Sequence, residues 1–131
     1  MDVLFVNPDS SAKAYQDLAR TYSAIEPPTW ALLLAESCRS QGFEVSIMDC
    51  DAERLSVEAA AGRIREAGPR LILFVVYGQN PNSGTTSMIG AIALASFLKL
   101  SLEKNVAIGM VGSHVSALPY EVLSHDCVDI V

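Results

Sequence analysis

The chain has 131 residues, half of them hydrophobic, enough to enclose one core and too few for two ordinary domains, so one domain over residues 1–131 is expected. Its formal charge of −6, with nine scattered Lys and Arg, excludes the clustered positive surface that nucleic-acid phosphates require. Cys38, Cys50 and Cys127 are too widely spaced for a Cys-x-x-Cys or zinc arrangement and read as reduced, mostly buried thiols.

Taken in chain order, the start at Met1 and Asp2 lacks the basic segment and cleavage site of a secretory signal, so the cytoplasm is the expected location. Short β-type runs then alternate with longer helical ones. A strand is expected over residues 3–7, a helix over 30–40, a strand over 44–49, a helix over 56–67 and a strand over 71–77. A helix over 85–104 and a strand over 106–111 follow, then a last helix over 119–124 and a last strand over 128–131. The run Leu71-Ile72-Leu73-Phe74-Val75-Val76 is apolar on both faces, the pattern of a strand covered on both sides. The apolar stretch 88–98 is about half the roughly 20 residues of a membrane span. It reads as a core helix, and no membrane partner is expected. Gly42 and the pair Gly68-Pro69 stand where a left-handed residue ends a helix.

This order predicts an α/β fold: a Rossmann-like or flavodoxin-like, open, doubly wound sheet of about five mainly parallel strands with helices on both faces. The chain stops directly after its last apolar strand, so a fragment of a larger protein is expected. In such sheets ligands bind beyond the carboxyl ends of the strands, where the strand order reverses. Residues 7–9 and 77–80 should flank that crevice, with residues 112–114 as the next wall.

The residues there exclude several chemistries. Asn7-Pro8-Asp9-Ser10-Ser11 replaces the Gly-x-Gly-x-x-Gly that would receive a pyrophosphate. Asp49 stands where a ribose-binding acid would, but one carboxylate is a weak signal and it reads as a solvated turn or cap. Tyr77-Gly78 occupies the place of a receiver domain's aspartate. Ser113 and His114 are adjacent in sequence, which suits a nucleophile and its base poorly, and there is no nucleophile elbow. His125 beside Asp126 reads as an exposed pair, and two histidines without a paired acidic motif do not make a metal centre. An independent enzyme is not supported.

What the loops do offer is neutral hydrogen bonding from Asn7, Gln79, Asn80, Asn82, Ser83, Thr85, Thr86, Ser113 and His114, with Gly78, Gly84 and Gly112 allowing close backbone approach. Such a crevice suits a large, amide-rich, nearly uncharged ligand. A helix beginning near Thr85 would add free N–H groups. The same residue types are also ordinary turn formers. Trp30, after Pro27-Pro28, either covers a ligand or anchors its helix to the core.

Three segments carry a family resemblance: Val3-Leu4-Phe5-Val6-Asn7-Pro8, Glu26-Pro27-Pro28-Thr29-Trp30-Ala31-Leu32-Leu33-Leu34-Ala35, and Gln41-Gly42-Phe43-Glu44-Val45-Ser46-Ile47-Met48-Asp49. Together they resemble the N-terminal cobalamin (B12)-binding domain of B12-dependent radical SAM proteins. Gly112-Ser113-His114-Val115-Ser116-Ala117-Leu118-Pro119 is similar to the Gly-Gly-Pro-His-x-x-x-x-Pro stretch of that family, with Ser113 in place of the proline and Val111 in place of the first glycine. The resemblance implies a corrin over the strand carboxyl ends and a nucleotide tail in the crevice between the first and third strands. Its cofactor-binding residues would be Asn7, Pro8, Tyr77, Gly78, Gln79, Asn80, Ser83, Thr85, Gly112, Ser113 and His114.

Residues 9–13 contain no histidine, so the Asp-x-His-x-x-Gly motif that gives a histidine to cobalt is absent and base-off binding is implied. The Cys-x-x-x-Cys-x-x-Cys motif is absent too. The resemblance therefore places the iron–sulfur cluster and S-adenosylmethionine in a downstream radical SAM domain of the same polypeptide. It makes this chain a module that presents cobalamin for methyl transfer or related radical chemistry. His114 is assigned to holding its loop or contacting corrin amides. The competing readings are a flavodoxin-like domain for another nucleotide and a protein-interaction domain without cobalamin.

Overall fold

The computed structural model describes residues 1–9, 25–77, 81–101 and 105–131. In chain order these form β1 (Val3–Asn7), α1 (Thr29–Ser40), β2 (Val45–Asp49), α2 (Val57–Ala67), β3 (Leu71–Val76), α3 (Pro81–Ser101), β4 (Ala107–Gly112), α4 (Ser113–Ala117) and α5 (Pro119–Leu123). Among the described residues the sheet has four strands in the order β2-β1-β3-β4, all parallel. The order reverses between β1 and β3, the switch point that opens a crevice at the carboxyl edge. This is the flavodoxin-like α/β architecture.

The fifth strand expected over residues 128–131 shrinks to one parallel bridge, Ile130 beside Gly109. Asp129 pins it there. Its amide donates to the Ile108 carbonyl at 2.8 Å, its carboxylate accepts from the Ile108 amide at 2.9 Å, and Lys99 of α3 donates to the same carboxylate at 2.6 Å. Desolvation pushes the Asp129 carboxyl up, but the bonds from Lys99 and Ile108 outweigh it and hold it below the usual range.

Both faces of β3 are covered, as its continuous apolar run requires. Ile72, Phe74 and Val76 point into the larger core with Ile64 of α2 and Leu94 and Leu98 of α3. Val75 joins Phe5, Ala31 and Ala35 under α1 on the other face. Ser56 caps α2 by accepting from the Ala59 amide, so the helix starts one residue later than expected. Gly68 is left-handed, at φ 57° and ψ 51°, and its N–H bonds to the Ile64 carbonyl. Gly42, at φ 89°, closes α1 in the same manner.

α3 begins at Pro81 rather than near Thr85. Proline fits the first helical position, where its missing N–H is not needed, and so Pro81 starts the helix instead of belonging to the preceding loop. The helix is also more extensive than the apolar run 88–98 implied. Residues Gly84–Ser101, of mean hydropathy 1.2, are long and apolar enough to cross a membrane. The fold accounts for their apolarity, because Met88, Ala91, Leu94, Ala95 and Leu98 form one buried stripe at helical spacing in the larger core.

All three cysteines are free, with Cys50 and Cys127 buried and Cys38 partly exposed. Burial, then the negative charges of Asp49, Asp9 and Glu53, pushes the Cys50 thiol up to about 12. Since the thiolate is the reacting species, native protein at pH 8 should take iodoacetamide at Cys38 and resist it at Cys50 until urea is added. Peptide mass spectrometry reads this directly, and equal native labelling of the two would contradict the burial of Cys50.

Candidate functional site

The carboxyl edge divides into two chemically different halves. On the β1–β2 side, the Asn7 side-chain amide donates to Asp49 Oδ1 at 2.8 Å, and the Asn7 carbonyl accepts from the Cys50 amide at 2.9 Å. Asp49 Oδ1 also accepts from the Ala52 amide at 3.1 Å, so Asp49 caps the turn after β2. Pro8 is buried. Here Asn7 ties two strand ends together, and its side-chain N–H is directed to Asp49. The Asp51 carboxyl is held above its usual range by burial, then by the charges of Asp9 and Asp49, with a hydrogen bond to Asp9. Negative charge gathered at this end disfavours a phosphate there.

On the β3–β4 side, backbone closeness sets the geometry. Gly112 pairs with Val76, and a Cβ added to it would lie 2.7 Å from the Val76 carbonyl carbon, so only glycine lets these strand ends close up. Gly84 of α3 stands equally tight against the Ser113 side chain, with the His114 amide nitrogen 3.8 Å from where a Cβ would be. The stretch 112–119, expected as a loop, is mostly helical: α4 starts at Ser113 and α5 at Pro119. With five residues and one buried side chain, Val115, α4 is too short for periodicity to reveal.

His114 joins three elements. Its Nδ1 lies 3.1 Å from Thr85 Oγ1 of α3, and its Nε2 lies 3.9 Å from Glu121 Oε1 of α5, with the ring 14% exposed. Both ring nitrogens therefore have protein neighbours, the arrangement of a side chain that holds its loop. Because α3 begins at Pro81, Thr85 sits in the second turn. The N–H groups left free by the helix start belong to the first turn instead, and Thr85 faces the site through its hydroxyl.

On the β3–β4 side, beside α1, lies a cleft of about 560 Å³ lined by Trp30, Leu34, Tyr77, Met110, Val111, Gly112, Val115, Ser116, Pro119 and Val131, with no residue of β1 among them, so it stands apart from the crevice expected between the first and third strands. The Trp30 and Tyr77 rings stack with centroids 4.7 Å apart and planes at 23°. Trp30 is 50% exposed, so it forms a rim of the cleft rather than an anchor in the core. Ala31 and Ala35, both buried, seat α1 on the sheet, and Leu34 follows Trp30 by one turn into the cleft wall. Tyr77 and Gly112 are the residues of the expected set that meet in this cleft. Ser113, Thr85 and His114 form the adjoining junction of α3 and α4, and Asn7 and Pro8 stand to the other side. Gly78, Gln79 and Asn80 lie outside the described residues, and so does the side chain of Ser83. Leu34, Val111, Val115 and Pro119 stand in or beside the segments that carry the family resemblance, but none is among the residues expected to bind the cofactor, because an aliphatic side chain or proline offers no hydrogen-bonding signal.

A parallel sheet in this order, with an apolar cleft and close-packed glycine backbone at its carboxyl edge, defines a ligand-binding α/β domain. The B12 binding domain family model matches residues 15–131, and the chain belongs to that family. No curated protein and no solved structure matches it. The residues present fit cobalamin. Its amide-rich corrin asks for neutral polar groups, as the exposed Thr85 supplies at this edge, and its apolar base asks for an apolar cleft like the one beside Trp30. Among the described residues no cluster of His, Cys, Asp or Glu is disposed to hold a metal ion.

Proposed function

We propose that this chain is a cytoplasmic cobalamin carrier that holds the cofactor base-off and presents it to a downstream radical SAM domain of the same polypeptide. The observation that carries the reading is the apolar cleft at the carboxyl edge of a chain matched by the B12 binding domain family over residues 15–131. Bound cobalamin would supply the methyl group or the electron for chemistry completed in the partner domain. That domain would hold the iron–sulfur cluster and S-adenosylmethionine.

The chain's own residues would bind, orient and exclude water. Trp30, Leu34, Val111 and Val115 would enclose the nucleotide base. The close backbone of Gly112 and the Thr85–His114 pair would fix the surface under the corrin. Support for a base-off state without a ligand from the first loop comes from the histidines. The chain has only His114 and His125. His114 is engaged with Thr85, and His125 is exposed after α5. The radical SAM partner is supported by the resemblance of the 112–119 stretch and the 26–35 segment.

Titration with hydroxocobalamin followed by desalting is the direct test. Corrin absorbance that travels with the protein and shows a base-off spectrum is the expected result. Corrin lost on desalting, with no heat of binding by calorimetry, would overturn the carrier reading.

A further inference from the structure

Glu121 of α5 was not among the residues expected at the site, yet its carboxylate faces His114. Its Oε1 lies 3.9 Å from His114 Nε2, beyond hydrogen-bonding distance, so it acts through its charge. The fold sets its place. Val122 beside it is buried in the larger core, and the Leu118 amide donates to the His114 carbonyl at 2.9 Å. Across the ring, Nδ1 lies 3.1 Å from the Thr85 hydroxyl oxygen, and Thr85 is exposed. We propose that Glu121 is a positioning residue that sets the tautomer of His114, makes the Thr85 hydroxyl an acceptor toward the ligand, and so selects corrinoids with intact peripheral amides over those bearing carboxylates. The inference rests on the cobalamin reading and deepens it.

A neutral imidazole carries one N–H and one lone pair. With the hydrogen on Nδ1, the lone pair of Nε2 would point at an anion. With the hydrogen on Nε2, the N–H dipole points at the negative charge instead and is stabilised. The His114 ring is 14% exposed and Glu121 62%, so one end of the pair is shielded and the charge is only partly screened. The Nε2–H form leaves Nδ1 as an acceptor, and the Thr85 hydroxyl must then donate inward. Its hydrogen is committed to His114, and its lone pairs are what it offers outward. A primary amide of the corrin can give an N–H to that oxygen, whereas a carboxylate in its place is an acceptor only and meets lone pairs with lone pairs. Glu121 thus acts through two intervening groups.

Nitrogen-15 NMR of the His114 ring in the whole chain, with His125→Gln removing the other imidazole, reads the tautomer directly. Calorimetric titration with cobalamin and with its peripheral monocarboxylate derivatives reads the selection. The neutral ring should carry its hydrogen on Nε2, and at least one monocarboxylate should bind about tenfold more weakly than cobalamin. Thr85→Val, at an exposed position, should remove that difference. Glu121→Lys places a donor where the acceptor stood, so the hydrogen should move to Nδ1 and the difference should narrow. The double variant Thr85→Val with Glu121→Lys separates this route from the general attraction of a new positive charge for a carboxylate. A parent ring with its hydrogen on Nδ1, or a Glu121→Lys effect on selection as large without the Thr85 hydroxyl as with it, would overturn the proposal and, with cobalamin still bound, leave the carrier function standing. Absence of binding by any corrinoid would overturn the carrier function and the selection together.

Discussion

Gly112→Ala is expected to destabilise the protein by about 2–3 kcal/mol, as overpacking of a tight site does, and to abolish cobalamin retention. The added methyl group would collide with the Val76 carbonyl, whose carbon lies 2.7 Å from the ideal Cβ position. Backbone cannot step aside as a flexible side-chain end can. Gly112 is also at φ 157° and ψ 175°, a region seldom occupied by other residues, although the collision is the stronger argument. Relief would require β3 and β4 to part at their carboxyl ends, where Tyr77 and Val111 line the cleft. Gly62→Ala is the control. Gly62 lies within α2, a Cβ there meets nothing within 4 Å, and helix propensity makes alanine neutral or stabilising by up to about 1 kcal/mol. Urea melts of both variants, with corrin retention measured beside them, check the pair. A Gly112→Ala protein as stable and as retentive as its parent would contradict the packing described for β3 and β4.

The second large effect concerns the core beneath the site. Phe74 is fully buried and pairs in register with Val6 on one side and Met110 on the other. Phe74→Ala should cost about 3–5 kcal/mol, the usual loss when a buried ring is removed and its cavity only partly collapses. A domain of ordinary stability has roughly 5–15 kcal/mol in total, so much of its margin would go. Tyr77→Ala, three residues on, should behave in the opposite way. Its ring lies on the rim and stacks on Trp30, so stability should fall by only about 1 kcal/mol, while corrinoid affinity should drop sharply. Chemical denaturation with parallel binding titrations separates core from cleft. Equal losses in both measurements for the two variants would show that Phe74 and Tyr77 do not play different parts.

Much of the fold was readable from local signals. The two-faced apolar run at residues 71–76 announced a covered parallel strand. Ser56 and Gly68 bracketed α2, and Pro69 followed where a helix cannot continue. The misreadings have physical causes. The run of Gly, Asn and Pro at residues 78–84 reads as a loop from its composition, yet proline favours the first position of a helix, and α3 starts at Pro81. α4 escaped notice because five residues are too few to show a period. The strand expected at residues 128–131 paired through Ile130 alone, since apolar character does not reveal how many ladder bonds an edge will form.

The site divides along the same line. Its residue types at 7–9, 77–80 and 112–114 could be picked from the rule that ligands gather at strand carboxyl ends, and Gly112 and Tyr77 do stand in the cleft wall. Sequence by itself determined the fold class and the absence of a first-loop histidine. Those features depend on periodicity, on turn chemistry and on the identity of residues in order. Only the tertiary structure decided that Trp30 stacks on Tyr77, that Gly112 closes on Val76, that His114 reaches Thr85 and that Asn7 turns toward Asp49. These meetings depend on strand order and register, and a slip of one residue would send each strand side chain to the opposite face of the sheet.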